Sequence, residues 1–164
     1  MKVLGIDPGI ERLGWAILKK NEGNIERMSS GVKRTLKTQP TPERLFEIYD
    51  FLEKLIQKEN PDMISVEKLF FAKNLKTASV IGEVRGAILT ASQKYKAVIR
   101  EFTPLEVKMA VCGYGRADKK DVASMLGYSI KMPTEKLLDD ETDAIALALT
   151  ALVHTGYPHQ YLPS

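Results

Sequence analysis

Residues 137 to 149 read LLDDETDAIALAL, four acids set directly before a nearly unbroken apolar helix. Beyond its first turn this helix is apolar almost all round, so it must lie buried against other layers of structure. Acids at a helix start are ordinary, because the free N–H groups and the helix dipole favour negative charge there. Asp140 and Asp143 are less ordinary. Spaced i and i+3 they share a face, which continues through Ala144, Leu147 and Ala151. Carboxylates are seldom buried without a partner or a metal ion.

A chain of 164 residues can bury one real core and is too short for two sizeable domains. We expect a single domain over residues 1–156 and a loose tail over 157–164. One cysteine, Cys112, excludes an internal disulfide framework and suits a reducing compartment. Its surroundings, MAVCGYG, fit a small core residue better than a nucleophile. The start, MKVLGIDPGI, lacks the long apolar region of a signal peptide, and no apolar run approaches membrane-spanning length. The expectation is a soluble cytoplasmic protein. Residues 68 to 120 hold eleven Lys and Arg against four Asp and Glu, whereas the remainder is net acidic. A basic middle favours a polyanion such as nucleic acid as partner, with solvated helix faces as the plainer explanation.

Hydrophobic spacing predicts the elements. KVLGID is a short strand closed by Pro8-Gly9, and LGWAILK and IERMSSGVKR form a hairpin turning at KNEGN. A helix over 41–60 starts at Thr41-Pro42, with Thr41 as its cap. Pro61 stops it before the strand DMISVE, which ends on Glu67. A helix over 75–94, the strand AVIREF and a second Thr-Pro helix, TPLEVKMAV, follow. The Gly-rich loop CGYGRADKK leads to a short helix around DVASML, and the closing helix covers about 140 to 155. Three consecutive strands and then alternating helices and strands predict an α/β domain with a mixed five-stranded sheet and helices on both faces.

Asp7 and Glu67 each end a strand. If those strands are neighbours, both carboxylates emerge at one edge of the sheet, and the closing helix can bring Asp140 and Asp143 to the same place. Four carboxylates repel unless a cation sits among them. An all-oxygen donor set without His or Cys favours Mg²⁺ or Mn²⁺ over zinc. Two such ions activate water and stabilise the leaving oxygen in phosphodiester cleavage.

GIDPG, VEKLFFAKN, KMAVCGYGRADKK and DDETDAIALALT occur here in the order found in the RuvC family of bacterial Holliday-junction resolvases. Each motif alone is weak, but four in order are specific, and the chain resembles that family from Lys2 to about His154. The resemblance implies an RNase H-like fold, a homodimer, and Mg²⁺-dependent paired nicking of four-way DNA junctions in recombination and repair. It implies two Mg²⁺ ions per site, with Mn²⁺ as a substitute, and the RuvA–RuvB branch-migration complex as partner. The family's metal-binding carboxylates fall on Asp7, Glu67, Asp140 and Asp143. Asp139 and Glu141 match no catalytic position and keep a capping or surface reading. The family's junction-contacting aromatic falls on Phe70, where a side chain can stack on unpaired bases; Phe71 is expected to turn inward. Two lysines near the scissile phosphate fall on Lys108 and Lys119, with Lys120 an alternative for the second. Lys73 and Arg116 complete the expected DNA-contacting set.

The helix LKTASVIGEVRGAILTASQ carries Gly82 and Gly86 in its interior, each costing about 1 kcal/mol relative to Ala. Glycines four apart leave a smooth groove for another backbone, either the protein's own sheet or the same helix of a second subunit. The resemblance favours the dimer interface. Trp15, Tyr49 and the methionines read as core or surface filler, and His154 and His159 lie too near the C-terminus to suggest a metal site.

Three other readings compete. GIDPG also resembles the first phosphate loop of actin-like ATPases and sugar kinases, but those need two such domains and a longer chain. A small group of RNase H-like nucleases thought to process ribosomal RNA shares the early Asp-x-Gly feature but fits the aromatic after Glu67 less well. A junction-binding module that does not cut is the third, and acids at all four positions argue against it.

Overall fold

The computed structural model describes residues 1–68, 75–133 and 135–154, with 75–78 described by backbone alone. The order of elements is β1 (Lys2–Asp7), β2 (Arg12–Asn21), β3 (Asn24–Arg34), α1 (Thr41–Glu59), β4 (Met63–Glu67), α2 (Leu75–Lys94), β5 (Val98–Phe102), α3 (Pro104–Cys112), α4 (Lys119–Ser129) and α5 (Asp139–Val153). The strands form one mixed sheet in the order β3-β2-β1-β4-β5. β1 to β3 are antiparallel, and β4 and β5 run parallel to β1. This is the expected α/β architecture. The β2–β3 hairpin turns at Glu22-Gly23, both at positive φ, the backbone that suits a right-twisted ribbon.

Alternation along β1 divides the core. Leu4 and Ile6 pack with Ile48, Leu52 and Ile88 of α1 and α2 on one face. Val3 packs on the other, among the apolar residues of α5 and α4. α5 lies across β2, β1 and β4 on that second face. Every residue from Ala144 to Leu152 is buried, as an all-round apolar helix requires.

Close approach is built into the strands beneath α5. A Cβ on Gly5 would lie 2.1 Å from the Ala144 carbonyl oxygen, and one on Gly14 would lie 1.9 Å from that of Asp140. Between them these two glycines let the first turns of α5 rest directly on β1 and β2. Ser65 of β4 then donates its hydroxyl to the Leu147 carbonyl at 2.8 Å, a buried bond that ties the middle of the helix down.

Three expectations at helix starts change. Thr41 does not cap α1: Pro40 occupies the N-cap and no side chain bonds there. Thr103 does cap α3, in a reciprocal box with Glu106. The difference lies three residues on, where α3 has an acid to return the bond and α1 has Arg44. The loop after Cys112 is shorter than expected, because Asp118 and Asp121 form the same box and start α4 at Lys119. α5 begins one residue early, at Asp139, and ends at Val153. Its N-cap is Leu138, without a side-chain cap. The expected tail, 157–164, lies outside the described residues, as do Phe70, Phe71, Lys73 and His159. Among the described residues no helix is long and apolar enough to cross a membrane.

Candidate active site

Asp7 and Glu67 occupy the C-terminal ends of neighbouring parallel strands, one residue beyond the Ile6–Val66 pair. Asp7 shares the face of Val3 and Gly5, and Glu67 that of Met63 and Ser65, because side chains alternate along a strand. Both therefore point towards α5. The conditional expectation that β1 and β4 are neighbours holds, and with it the meeting of the two acids.

α5 contributes the other two. Burial pushes the Asp7 carboxyl up to about 7, reinforced by the charges of Asp143, Glu67 and Asp140 in that order. Burial likewise raises Glu67, with Asp143 adding to the effect. Asp7, Glu67 and Asp143 line one cleft of about 130 Å³, together with Lys108, Asp118 and Lys119. Asp140 does not line it, but is close enough for its charge to act on Asp7.

Two cations already hold the acids of α5. Lys119 Nζ donates to Asp143 Oδ2 at 2.9 Å, and this bond raises the lysine above its ordinary range. The Asp118–Asp121 capping box fixes the first turn of α4 from which Lys119 projects. Arg12 Nε, at the start of β2, lies 3.1 Å from Asp140 Oδ2. That oxygen is buried and has no hydrogen-bond partner, so Arg12 contacts it by charge without the geometry of a bond. Among the described residues no three carboxylates are drawn into a ready coordination shell. The donor set nevertheless fits a hard divalent cation: oxygen ligands, mutual repulsion, and one buried carboxylate oxygen left unsatisfied.

The remaining expected residues divide. Lys108 is half-buried and lines the cleft. Lys120 is exposed and lines an adjoining groove with Lys119, Asp139 and Asp143. Arg116 is exposed and lines neither. Gly82 and Gly86 are exposed, and a Cβ on either would meet nothing within 4 Å. Approach by the protein's own sheet is therefore excluded as the reason for these glycines. Glu141 accepts a hydrogen bond from Ser30 at 2.5 Å, and Ser30 accepts one from Arg27 at 2.9 Å, tying the first turn of α5 to β3. Sequence reasoning missed Arg12, Gly5 and Gly14. Arg12 carries no motif that would mark it, whereas a glycine inside a strand is a recognised sign of close backbone approach.

A sheet of this order, with acids ending its central strands and a helix laying further acids across them, is the architecture of an RNase H-like nuclease. Comparison with known proteins agrees. The family model described as crossover junction endodeoxyribonuclease RuvC matches residues 3–151. The RuvC of Prochlorococcus marinus (strain NATL2A) is 40% identical over 152 residues, covering 93% of this chain and 98% of that one. That of Chloroflexus aurantiacus (strain J-10-fl) is 40% identical over 149 residues, covering 91% of each. The structure is similar to RuvC of Thermus thermophilus in complex with Holliday junction substrate, with a TM-score of 0.88, 29% identity and 94% of each chain covered. The chain belongs to the RuvC family of crossover junction endodeoxyribonucleases. It is thus a nuclease, and nucleases of this family in general need divalent metal ions.

Proposed function

We propose that the protein resolves four-way DNA junctions by paired, symmetric, Mg²⁺-dependent nicks during recombination and repair. The observation that carries this reading is the meeting of Asp7, Glu67 and Asp143 in one cleft, with Asp140 near enough for its charge to act on Asp7. A fold keeps such an unfavourable cluster where a cation offsets it. Asp7, Glu67, Asp140 and Asp143 would hold two Mg²⁺ ions, with Mn²⁺ as a substitute. When bound, such ions supply an activated water and stabilise the leaving oxygen.

The chain's own residues do the rest. Asp7 ends β1, between β2 and β4, and would be one of the residues that hold the metal. Lys119 stands beside Asp143 on the open side of the cleft, where a cation can stabilise charge developing on a phosphate. Lys108 lines the same cleft and can hold the phosphate backbone in register. Arg116, Lys120 and Lys73 would add backbone contacts, and Phe70 would stack on bases unpaired at the branch point.

Paired nicks need two sites related by symmetry, and a dimer supplies them. The open Gly82–Gly86 face of α2 supports an interface there. Residues 1–156 would act as one nuclease domain in the cytoplasm, receiving its substrate from the RuvA–RuvB complex. The test is cleavage of an end-labelled four-way junction. Symmetric nicks in Mg²⁺, none in EDTA and none on linear duplex support the reading; equal cutting of linear duplex contradicts it.

A further inference from the structure

Arg12 belongs to none of the motifs that carry the site, yet it touches one of the four acids. Its Nε lies 3.1 Å from Asp140 Oδ2, with the arginine side chain 44% exposed and the aspartate 18%. The backbone that carries Asp140 is fixed. The carbonyl of Asp140 is seated on Gly14, where even a Cβ would lie at 1.9 Å. The backbone of Arg12 is fixed in the same way, because a Cβ on Gly9 would lie 2.2 Å from its carbonyl oxygen. The turn before it is anchored by Thr35, which donates its hydroxyl to the Ile10 carbonyl at 2.5 Å and its N–H to that of Glu11 at 3.2 Å.

The contact itself is loose where its surroundings are tight. Asp140 Oδ2 has no hydrogen-bond partner, so the guanidinium supplies charge without directional hold. Arg34, the cross-strand partner of Arg12 in the β2–β3 ladder, places a second positive charge directly opposite. Like charges facing across a ladder repel, which favours release of the guanidinium to solvent.

We propose that Arg12 is a stand-in cation for Asp140, offsetting the repulsion among the acids before metal binds and competing with the metal for that carboxylate. It is a positioning residue and touches no reacting atom. The inference rests on the four-acid metal site and concerns how readily that site fills.

The experiment is titration of the DNA-free protein with Mn²⁺ by calorimetry, for wild type, Arg12→Gln, Arg12→Lys and Asp140→Asn. Arg12→Gln should bind Mn²⁺ about three- to five-fold more tightly, the scale expected for losing a partly exposed ion pair. Arg12→Lys keeps the charge and should return to the wild-type value. Raising the salt should narrow the gap between wild type and Arg12→Gln, because screening weakens an exposed charge. In EDTA, Arg12→Gln should melt below wild type. Unchanged or weaker Mn²⁺ binding by Arg12→Gln, while Asp140→Asn loses binding, overturns the role of Arg12 and leaves the metal site standing. Wild-type Mn²⁺ binding by Asp140→Asn instead overturns the metal-site reading.

Discussion

Lys119, the first residue of α4, donates a hydrogen bond from its ammonium to Asp143 of α5 at 2.9 Å, and both line the cleft that Asp7 and Glu67 also line. The capping box below it orients that lysine, and the glycines under α5 bring the aspartate within its reach. The pairing places an exposed positive charge beside the acids.

Lys119→Ala should therefore lower the cleavage rate far more than junction affinity, by about a hundredfold in kcat if it meets charge that develops only in the transition state. Lys120→Ala should lose little of either. Single-turnover cleavage beside gel-shift titration separates the two effects. Equal losses in rate and binding for Lys119→Ala would make it an ordinary backbone contact.

The metal-free enzyme should lose stability as the pH rises towards neutrality. Asp7 holds its proton up to about pH 7 in the fold, against an ordinary value of 3.8. The folded chain thus binds that proton more tightly than the unfolded one, and stability falls across the interval between the two values. That interval corresponds to at most about 4 kcal/mol. Melting in EDTA should give a Tm that drops from pH 5 to pH 7.5, a drop that saturating Mg²⁺ removes and Asp7→Asn flattens. A Tm in EDTA that rises over this range contradicts the assignment.

Gly14→Ala should act on the site through the backbone. The new methyl would meet the Asp140 carbonyl at 1.9 Å, so α5 must shift. Overpacking of this kind costs about 1–3 kcal/mol. Thermal melting should show the loss, and Mn²⁺ titration should show weakened binding because Asp140 and Asp143 move with the helix. Wild-type values in both would mean that the helix yields without cost.

The open face of α2 makes a separate prediction. Among the described residues, neither Gly82 nor Gly86 has a neighbour that a Cβ would strike. In a monomer, alanine at either position should stabilise the helix by up to about 1 kcal/mol. Gly82→Leu should instead leave a folded protein that sediments as a monomer while the wild type sediments as a dimer. A wild type that remains monomeric at micromolar concentration, with or without junction DNA, argues against the interface.

The elements were legible because local signals agree with the packing. Apolar spacing marks α1, an unbroken apolar run marks α5, KNEGN marks the hairpin, and Thr103-Pro104 marks the start of α3. The same Thr-Pro signal misled at Thr41, where Arg44 stands at the place of the reciprocating acid. The meeting of Asp7 with Glu67 was conditional on strand order, which hydrophobic pattern does not encode. Arg12 was illegible: its partner lies 128 positions on, and nothing local marks a surface arginine that faces an acid across the fold.

Asp7→Asn tests the central claim, that four converging acids make this nuclease cut. The substitution keeps the size of the side chain and removes the charge that the other three acids oppose, so the fold should survive with equal or higher Tm. Junction binding depends mainly on the basic surface and should stay close to wild type. The measurement is nicking of a labelled four-way junction in Mg²⁺, with a gel shift of the same sample. The expected result is a shifted junction with no nicks. Nicking at the wild-type rate would contradict it.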